Sequence, residues 1–373
     1  MRTQPPDLAE ESLRAAVAGL WGFESVALRY LPVGFGSHHW LAGCADGRRL
    51  FLTVDDLDAK LLSGEDTTDS AVGRLERAFA TALSLRRDCE LRFVVAPIPA
   101  SDGRVLTRLT ERYSMVVHPY TDGEQTGTES EFDVRAERDA MLTLLAALHS
   151  ARPDAQPITD NFAVPNLDEL RAAMGETGQI WDTGPYGERA RALLAVHAGA
   201  LARLLTTFDC LAGRVAARPE RMVVTHGEPG AHNVLRTPAG LMLVDWDSVL
   251  LAAPERDLWD VAAQDRSALT IYSGVSGAAV DEDALAFYRM WYDLFEIGGY
   301  LRLFRREHDD TADTAESWRN LRHFLQPAAR WPAQLAARLE RATPGGGLGA
   351  LRVRTATPGC ASRGDDRPSP PGA

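Results

Sequence analysis

Between His226 and Asp247 the chain reads HGEPGAHNVLRTPAGLMLVDWD, which places three carboxylates, one Asn and two His within twenty-two residues. RMVV ahead of this stretch reads as a strand running into a loop that carries His226, Glu228 and Asn233. Twelve residues beyond Asn233, the apolar run LMLV delivers Asp245 and Asp247. RTPAG between them is a turn, so the two runs are expected to form a hairpin that gathers Glu228, Asn233 and Asp245 around one point. Phosphoryl transfer needs such a cluster. A carboxylate orients or deprotonates the attacking hydroxyl, and an Asn with an Asp holds the divalent ions that bridge nucleotide phosphates. Asp245, ending an apolar strand beside the Asn, is where Mg²⁺ would sit, while Asp247 touches a second ion or braces the loop. A zinc site of His226, His232 and Asp247 can also be drawn.

Two lobes are expected to position these residues, because 373 residues exceed one ordinary hydrophobic core. With 45% hydrophobic and 25% charged residues the composition is that of a globular protein. No charged leader with an apolar stretch behind it stands at the start, and no run of 18 apolar residues occurs, so a cytoplasmic protein with no membrane span is expected. Cys44, Cys89, Cys210 and Cys360 lack the close pairing of a zinc or redox motif and read as free thiols. A net charge of −12 without a basic patch argues against a nucleic-acid partner. The acid surplus serves solubility, or attracts a cationic small molecule. Lys60 is the only lysine in the chain.

The first hundred residues alternate strand-like and turn-like pieces. VALRYLPVGFGSHHWLAG and RRLFLTV read as strands around Gly-rich turns, with CADG as a tight connection. DSAVGRLERAFATALSLRRD follows as an amphipathic helix with Val72, Leu75, Phe79 and Leu83 on one face and Asp69 near its start. LRFVVAPIPA, RVLTRL and YSMVVHPYT are expected to be three further strands. Beyond TDGEQTGTES the pattern becomes helical: Met141, Leu144, Leu145 and Leu148 share one face, and Leu194, Leu201 and Leu205 another. EDALAFYRMWYDLFEIGGYLRLFRR and SWRNLRHFLQPAARWPAQLAARLERA complete this part. From Thr343 onward Gly and Pro dominate and a disordered tail is expected.

The order H-G-E-x-x-x-x-N followed by D-W-D has the offsets of the protein-kinase pattern H-R-D-x-x-x-x-N and D-F-G. It resembles the aminoglycoside phosphotransferase family of kinase-like enzymes, with H-x-D-x-x-x-x-N and D-x-D, and within it the spectinomycin phosphotransferase type and its actinobacterial relatives. The resemblance implies an α+β, bilobal, protein-kinase-like fold. A nucleotide-binding lobe would span residues 1–118 and a helical lobe with the acceptor pocket 119–342, ahead of the tail at 343–373. It also implies an ATP- or GTP-dependent, Mg²⁺-requiring phosphotransferase acting on a hydroxyl of a small molecule, an aminocyclitol, aminoglycoside-like or sugar-nucleoside antibiotic. A nucleotide-binding pseudokinase and a choline or amino-alcohol kinase are the alternatives.

The same resemblance assigns roles. Glu228 stands where the family usually has its base Asp, and His226 beside it serves as a scaffold for the loop. Asn233, Asp245 and Asp247 are the metal residues. Gly34 and Gly36, between two strands, could turn backbone N–H groups over phosphates. Thr53 stands where relatives carry the phosphate lysine, so Lys60, seven residues on, is the substitute, with Glu76 as its ion-pair partner. Backbone groups of His118 to Tyr120 would read the purine edge. Arg256 and Asp257 in APERDLWD anchor the large lobe. For the acceptor, Trp181, Asp182, Asp293, Glu296 and Tyr300 offer rings and acids suited to a polyhydroxylated or cationic ligand.

Overall fold

The first 21 residues already depart from the strand-rich expectation, since Glu10–Trp21 forms a helix, α1. Leu13, Val17 and Trp21 recur every fourth residue and are buried, and Gly22, at φ 69°, ends the helix in the left-handed conformation that glycine adopts most readily. The computed structural model describes residues 1–34, 36–128 and 131–328, which belong to one compact unit; the expected tail lies outside the described residues.

Strands β1 (Ser25–Leu31), β2 (Ser37–Cys44) and β3 (Arg49–Asp56) form the antiparallel meander that the Gly-rich turns predicted. Gly47, at φ 84°, makes the tight β2–β3 connection. Helix α2 (Thr68–Arg87) follows, capped by the Thr67 side chain, which accepts from the Ser70 N–H. Strands β4 (Thr107–Arg108) and β5 (Tyr113–Pro119) complete a five-stranded sheet of order β1-β2-β3-β5-β4. Alternation sends Trp40, Leu52, Val54, Met115 and Val117 to one face, where they pack with α1. Val116, on the opposite face, packs with Leu75 and Phe79 of α2.

LRFVVAPIPA is not a strand of this sheet. It runs extended toward the helical lobe, where Val94 bridges Leu243, the Leu243 N–H donates to Phe93 O (2.7 Å) and the Val95 N–H to Leu243 O (3.0 Å). Further along, the Ile98 N–H donates to Val117 O of β5 (2.7 Å), so the bonds of this segment are divided between the two lobes.

The helical lobe opens with short strands β6 (Glu124–Gln125), β7 (Gly127–Thr128) and β8 (Glu131–Phe132), then α3 (Arg135–Ser150), β9 (Ile158–Thr159), α4 (Leu167–Gly175) and α5 (Gly187–Ala216). Met141, Leu145 and Leu148 are buried on α3, as are Leu194 and Leu201 on α5. Strands β10 (Val223–Thr225), β11 (Val234–Thr237), β12 (Gly240–Leu243) and β13 (Leu250–Ala252) carry the motif. The expected hairpin is corrected here. RMVV contributes β10, which pairs with β13, and the hairpin is β11–β12, with β6 on its outer edge. Helices α6 (Trp259–Gln264), α7 (Leu269–Ser276), α8 (Glu282–Phe304) and α9 (Ala312–Ala328) close the lobe. By length and composition α5 could cross a bilayer. Here its apolar face packs on α8 and α9.

Candidate active site

β10 and β13 bring the two ends of the motif together across a fixed turn. Asp257 is fully buried and its carboxylate accepts the N–H of His226 (2.8 Å) and of Gly227 (2.7 Å), as well as a bond from His149 Nε2 (3.1 Å). Arg256 donates to Thr225 Oγ1 (2.9 Å) and to Ser248 O (2.8 Å). Both therefore hold the loop, as expected of APERDLWD. Gly227, at φ 107°, lies so close that a Cβ would come within 2.5 Å of the Arg256 guanidinium, so only glycine fits.

His226 is buried, donates from Nε2 to Val244 O (2.9 Å) and accepts the Glu228 N–H at Nδ1 (3.3 Å). Burial pushes it down to about 4, so it is a neutral scaffold for the loop. Asn233 Nδ2 donates to Glu228 O (2.9 Å), which fixes the backbone of Glu228 and leaves the amide oxygen as an acceptor for a cation. Asp245 has φ 65°, a left-handed conformation that costs a non-glycine residue about 1–3 kcal/mol. The next residue holds it there: Trp246 is fully buried, donates from Nε1 to Leu243 O (2.8 Å) and packs edge-on against His226 at 4.6 Å.

Glu228, Asp245 and Asp247 are close enough to perturb one another. Burial and then Asp247 raise Glu228; Asp245, at the open cleft, is raised by desolvation within it and then by Asp247. Asp247 is different: desolvation works to raise it, but the Lys60 ammonium outweighs that and holds it below the ordinary carboxylate range. Lys60 Nζ lies 2.7 Å from Asp247 Oδ2 and 3.3 Å from Asp55 Oδ1. The expected pair with Glu76 is not formed. Glu76 instead lines an outer cleft of α2 with Ser84, Arg87 and Arg104. Asp55 did not stand out in the sequence, because an acid ending a strand is ordinary until Lys60 is seen beside it.

Gly34 and Gly36 have φ of 70° and 89° and form the β1–β2 turn. Thr53 Oγ1 lies 3.3 Å from His39 Nδ1, and burial pushes His39 down to about 3, so the usual place of a strand lysine holds an uncharged pair. In the segment expected to read the base, Pro119 has no N–H and the Tyr120 N–H donates to Arg49 O (3.1 Å). The His118 ring is edge-on to Phe79 at 5.9 Å and is pushed by burial down to about 4.

Of the acceptor residues, Glu296 and Tyr300 feel the Glu228 charge, and Tyr300 Oη donates to Glu296 Oε2 (2.6 Å). Burial pushes Glu296 up to about 7. Asp293 is fully buried and ion-paired with Arg289 (3.3 Å). Trp181 and Asp182 are not brought to this site: Trp181 is buried in the turn before α5, where Thr183 donates to Phe304 O (2.6 Å) at the end of α8. Beside Glu228 the cleft is lined instead by Phe132, His232, Trp259, Asp260 and Tyr292, with Trp259 and Tyr292 rings 5.0 Å apart. Trp259 and Tyr292 lie within APERDLWD and WYDLFEIGGY, and only their place beside Glu228 distinguishes them from core.

Among the described residues no three His, Cys, Asp or Glu side chains converge as a ready cage for a metal ion, and this removes the zinc alternative. Mg²⁺ makes a smaller demand, since it takes one or two protein carboxylates and completes its shell with phosphates and water. Asn233, whose carbonyl accepts the Val244 N–H (3.0 Å) one residue before Asp245, supplies with Asp245 and Asp247 the oxygen donors that requirement calls for.

The pattern that defines the phosphotransferase enzyme family matches residues 45–297. Protein StrN of Streptomyces griseus is 31% identical over 241 residues, spanning 62% of this chain and 72% of StrN. The fold is similar to a spectinomycin phosphotransferase solved with ADP and spectinomycin, at TM-score 0.68 and 15% identity, covering 88% of this chain and all of that one. Choline kinase LicA from Streptococcus pneumoniae is similar at TM-score 0.52 and 13% identity, over 85% and 99% of the two chains.

Proposed function

Since the chain belongs to the phosphotransferase enzyme family and is a phosphotransferase with an alcohol group as acceptor, we propose that it phosphorylates an aminocyclitol- or aminoglycoside-like antibiotic in the cytoplasm, at the expense of ATP or GTP with Mg²⁺. The observation that carries this is the gathering of Glu228, Asn233, Asp245, Asp247 and Lys60 beside a cleft lined by Trp259, Asp260 and Tyr292, with Glu296 near enough to feel the Glu228 charge. Rings and acids together suit a polyhydroxylated ligand bearing an amine. The neighbour solved with spectinomycin motivates the antibiotic reading, and the choline kinase neighbour makes choline the acceptor to test beside it.

Glu228 orients the acceptor hydroxyl and takes its proton as the new O–P bond forms and the bond from the γ-phosphorus to the nucleoside diphosphate breaks. Its raised affinity for a proton favours that role. Asn233 and Asp245 would hold Mg²⁺, which when bound offsets charge on the transferring phosphoryl group. His226, Asp257 and Arg256 keep the loop rigid, so that Glu228 needs no reorganisation when the acceptor arrives.

The test is a panel of aminocyclitol, aminoglycoside and sugar-nucleoside antibiotics, with choline beside them, incubated with protein, Mg²⁺ and ATP or GTP. Mass addition of one phosphoryl group to an antibiotic is the expected result. Addition to choline alone would move the reading to a metabolic kinase. Nucleotide binding with no transfer to any acceptor would mark a pseudokinase.

A further inference from the structure

A phosphate-binding lysine does its work only if something holds its ammonium in place, and the carboxylates that hold the Lys60 ammonium are not on α2. Lys60 leaves β3 through the turn DDLDAK, whose Ala59 and Lys60 N–H groups donate back to Asp56 O (3.0 Å) and Leu57 O (3.2 Å). Leu57, fully buried, pins the turn. Carbonyls along the segment are taken up by both lobes: Arg74 of α2 donates to Lys60 O (3.0 Å), Arg302 of α8 to Leu61 O (2.9 Å) and Asp58 O (3.1 Å), and the Asn166 N–H to Leu62 O (2.8 Å). The turn therefore aims the lysine side chain back to the end of the strand it came from.

There it meets Asp55, whose side chain is almost wholly buried at 1% exposure. Asp55 Oδ1 accepts from Ser37 Oγ (2.7 Å), directly after Gly36 of the β1–β2 turn, and Oδ2 accepts no hydrogen bond among the described residues. A buried carboxylate needs a cation, and Lys60 at 3.3 Å supplies it. A chain of contacts runs from the glycine turn through Ser37, Asp55 and Lys60 to Asp247 in the metal motif. An ammonium has three N–H donors, so Lys60 can touch both carboxylates and still offer one to a phosphate.

We propose that Asp55 is the positioning residue of a relocated phosphate-binding lysine: Asp55 and Lys60 together replace the strand lysine and helix glutamate, and Ser37 ties this pair to the glycine turn. The inference rests on the nucleotide-binding reading given above. Asp55 acts through Lys60 and touches no substrate itself.

Calorimetric titration of Mg²⁺–ADP into the full chain separates the possibilities. Lys60→Met is expected to weaken binding about 10- to 100-fold and Asp55→Asn about 5- to 10-fold, while the double variant binds no more weakly than Lys60→Met. That non-additivity is what a merely structural Asp55 would not produce. If Asp55→Asn lowers the melting temperature too far for titration, Ser37→Ala is compared in the same two backgrounds, with a loss expected only where Lys60 is present. Full additivity, or an unchanged Kd in Asp55→Asn, overturns the proposal. So does a loss in Glu76→Gln equal to that of Lys60→Met. A wild-type chain that binds no nucleotide overturns the functional reading, whereas tight wild-type binding with indifferent variants overturns this inference alone.

Discussion

Substituting Asp for Glu228 restores the acid that the H-x-D pattern usually carries, yet it is expected to cost activity. The reason is how firmly the backbone is held. Gly227 is bonded to Asp257 on one side, and a Cβ there would already meet Arg256 and Ser248; the Glu228 N–H is bonded to His226 and its carbonyl to Asn233. With no freedom to advance, Asp places its carboxylate one methylene back, on the order of 1 Å, and a misplacement of that size costs about 10²-fold in rate. At 1.36 kcal/mol per factor of ten this is about 2.7 kcal/mol of transition-state stabilisation. Glu228→Gln keeps the length but loses the proton acceptor, and kcat should fall by roughly 10²–10⁴. Lys60, Asn233 and Asp245 are untouched by either change, so the nucleotide KM should stay within about twofold in both. Steady-state release of the nucleoside diphosphate, with the acceptor identified by the panel, measures all three proteins. Equal kcat for Asp and Glu would refute the argument from length. Full activity in Glu228→Gln would refute the base assignment and turn attention to Asp247.

Other consequences follow from the same contacts. Asp245→Asn should drop turnover below about a tenth while leaving the melting temperature equal or higher, because desolvation and Asp247 together oppose the Asp245 charge more than Lys60 favours it; a lowered melting temperature would contradict this. Glu296, held at about 7 against an ordinary 4.5, disfavours its ionised form in the folded chain, so its cost to stability is absent below pH 4.5 and grows until the pH passes about 7. Glu296→Gln should therefore flatten the melting profile between pH 5 and 8, gaining about 1–2 °C at pH 8 for each kcal/mol recovered; an unchanged slope in thermal melts would count against it. Gly227→Ala, at φ 107° and against the Arg256 guanidinium, should destabilise by about 1–3 kcal/mol in denaturant unfolding and lower kcat with it. Wild-type stability in that variant would mean the loop is looser than its contacts.

The motif was legible because its chemistry is local: Glu228, Asn233, Asp245 and Asp247 lie within one short stretch, and the spacing itself carries the information. The meander β1–β2–β3 was legible from its glycine turns, and the faces of α2, α3 and α5 from their periodicity. What periodicity cannot convey is the partner. LRFVVAPIPA has the composition of a strand, but its bonds are divided between Leu243 and Val117, and β10 passes over the nearest apolar run to pair with β13. Lys60 stood out as the only lysine, but its real partners, Asp55 and Asp247, are separated from each other by most of the chain. For Trp181 and Asp182 the composition was suitable and the location was not, since a ring buried away from the site and a ring facing a ligand look alike in sequence.

The two lobes are joined by more than the covalent link between them. One tie is the segment at Phe93–Val95, bonded to Leu243 two residues before Asp245; a second is Arg302 and Asn166 reaching to Asp58, Leu61 and Leu62. Others lie elsewhere, where Arg77 of α2 donates to the carbonyls of Gln156 and Pro157 and Arg2 pairs with Glu316 of α9. Fastenings on several sides leave little room for one part to slide over the other, so the spacing of Asp55, Lys60 and Asp247 is set by the fold itself and does not wait for a ligand to assemble it.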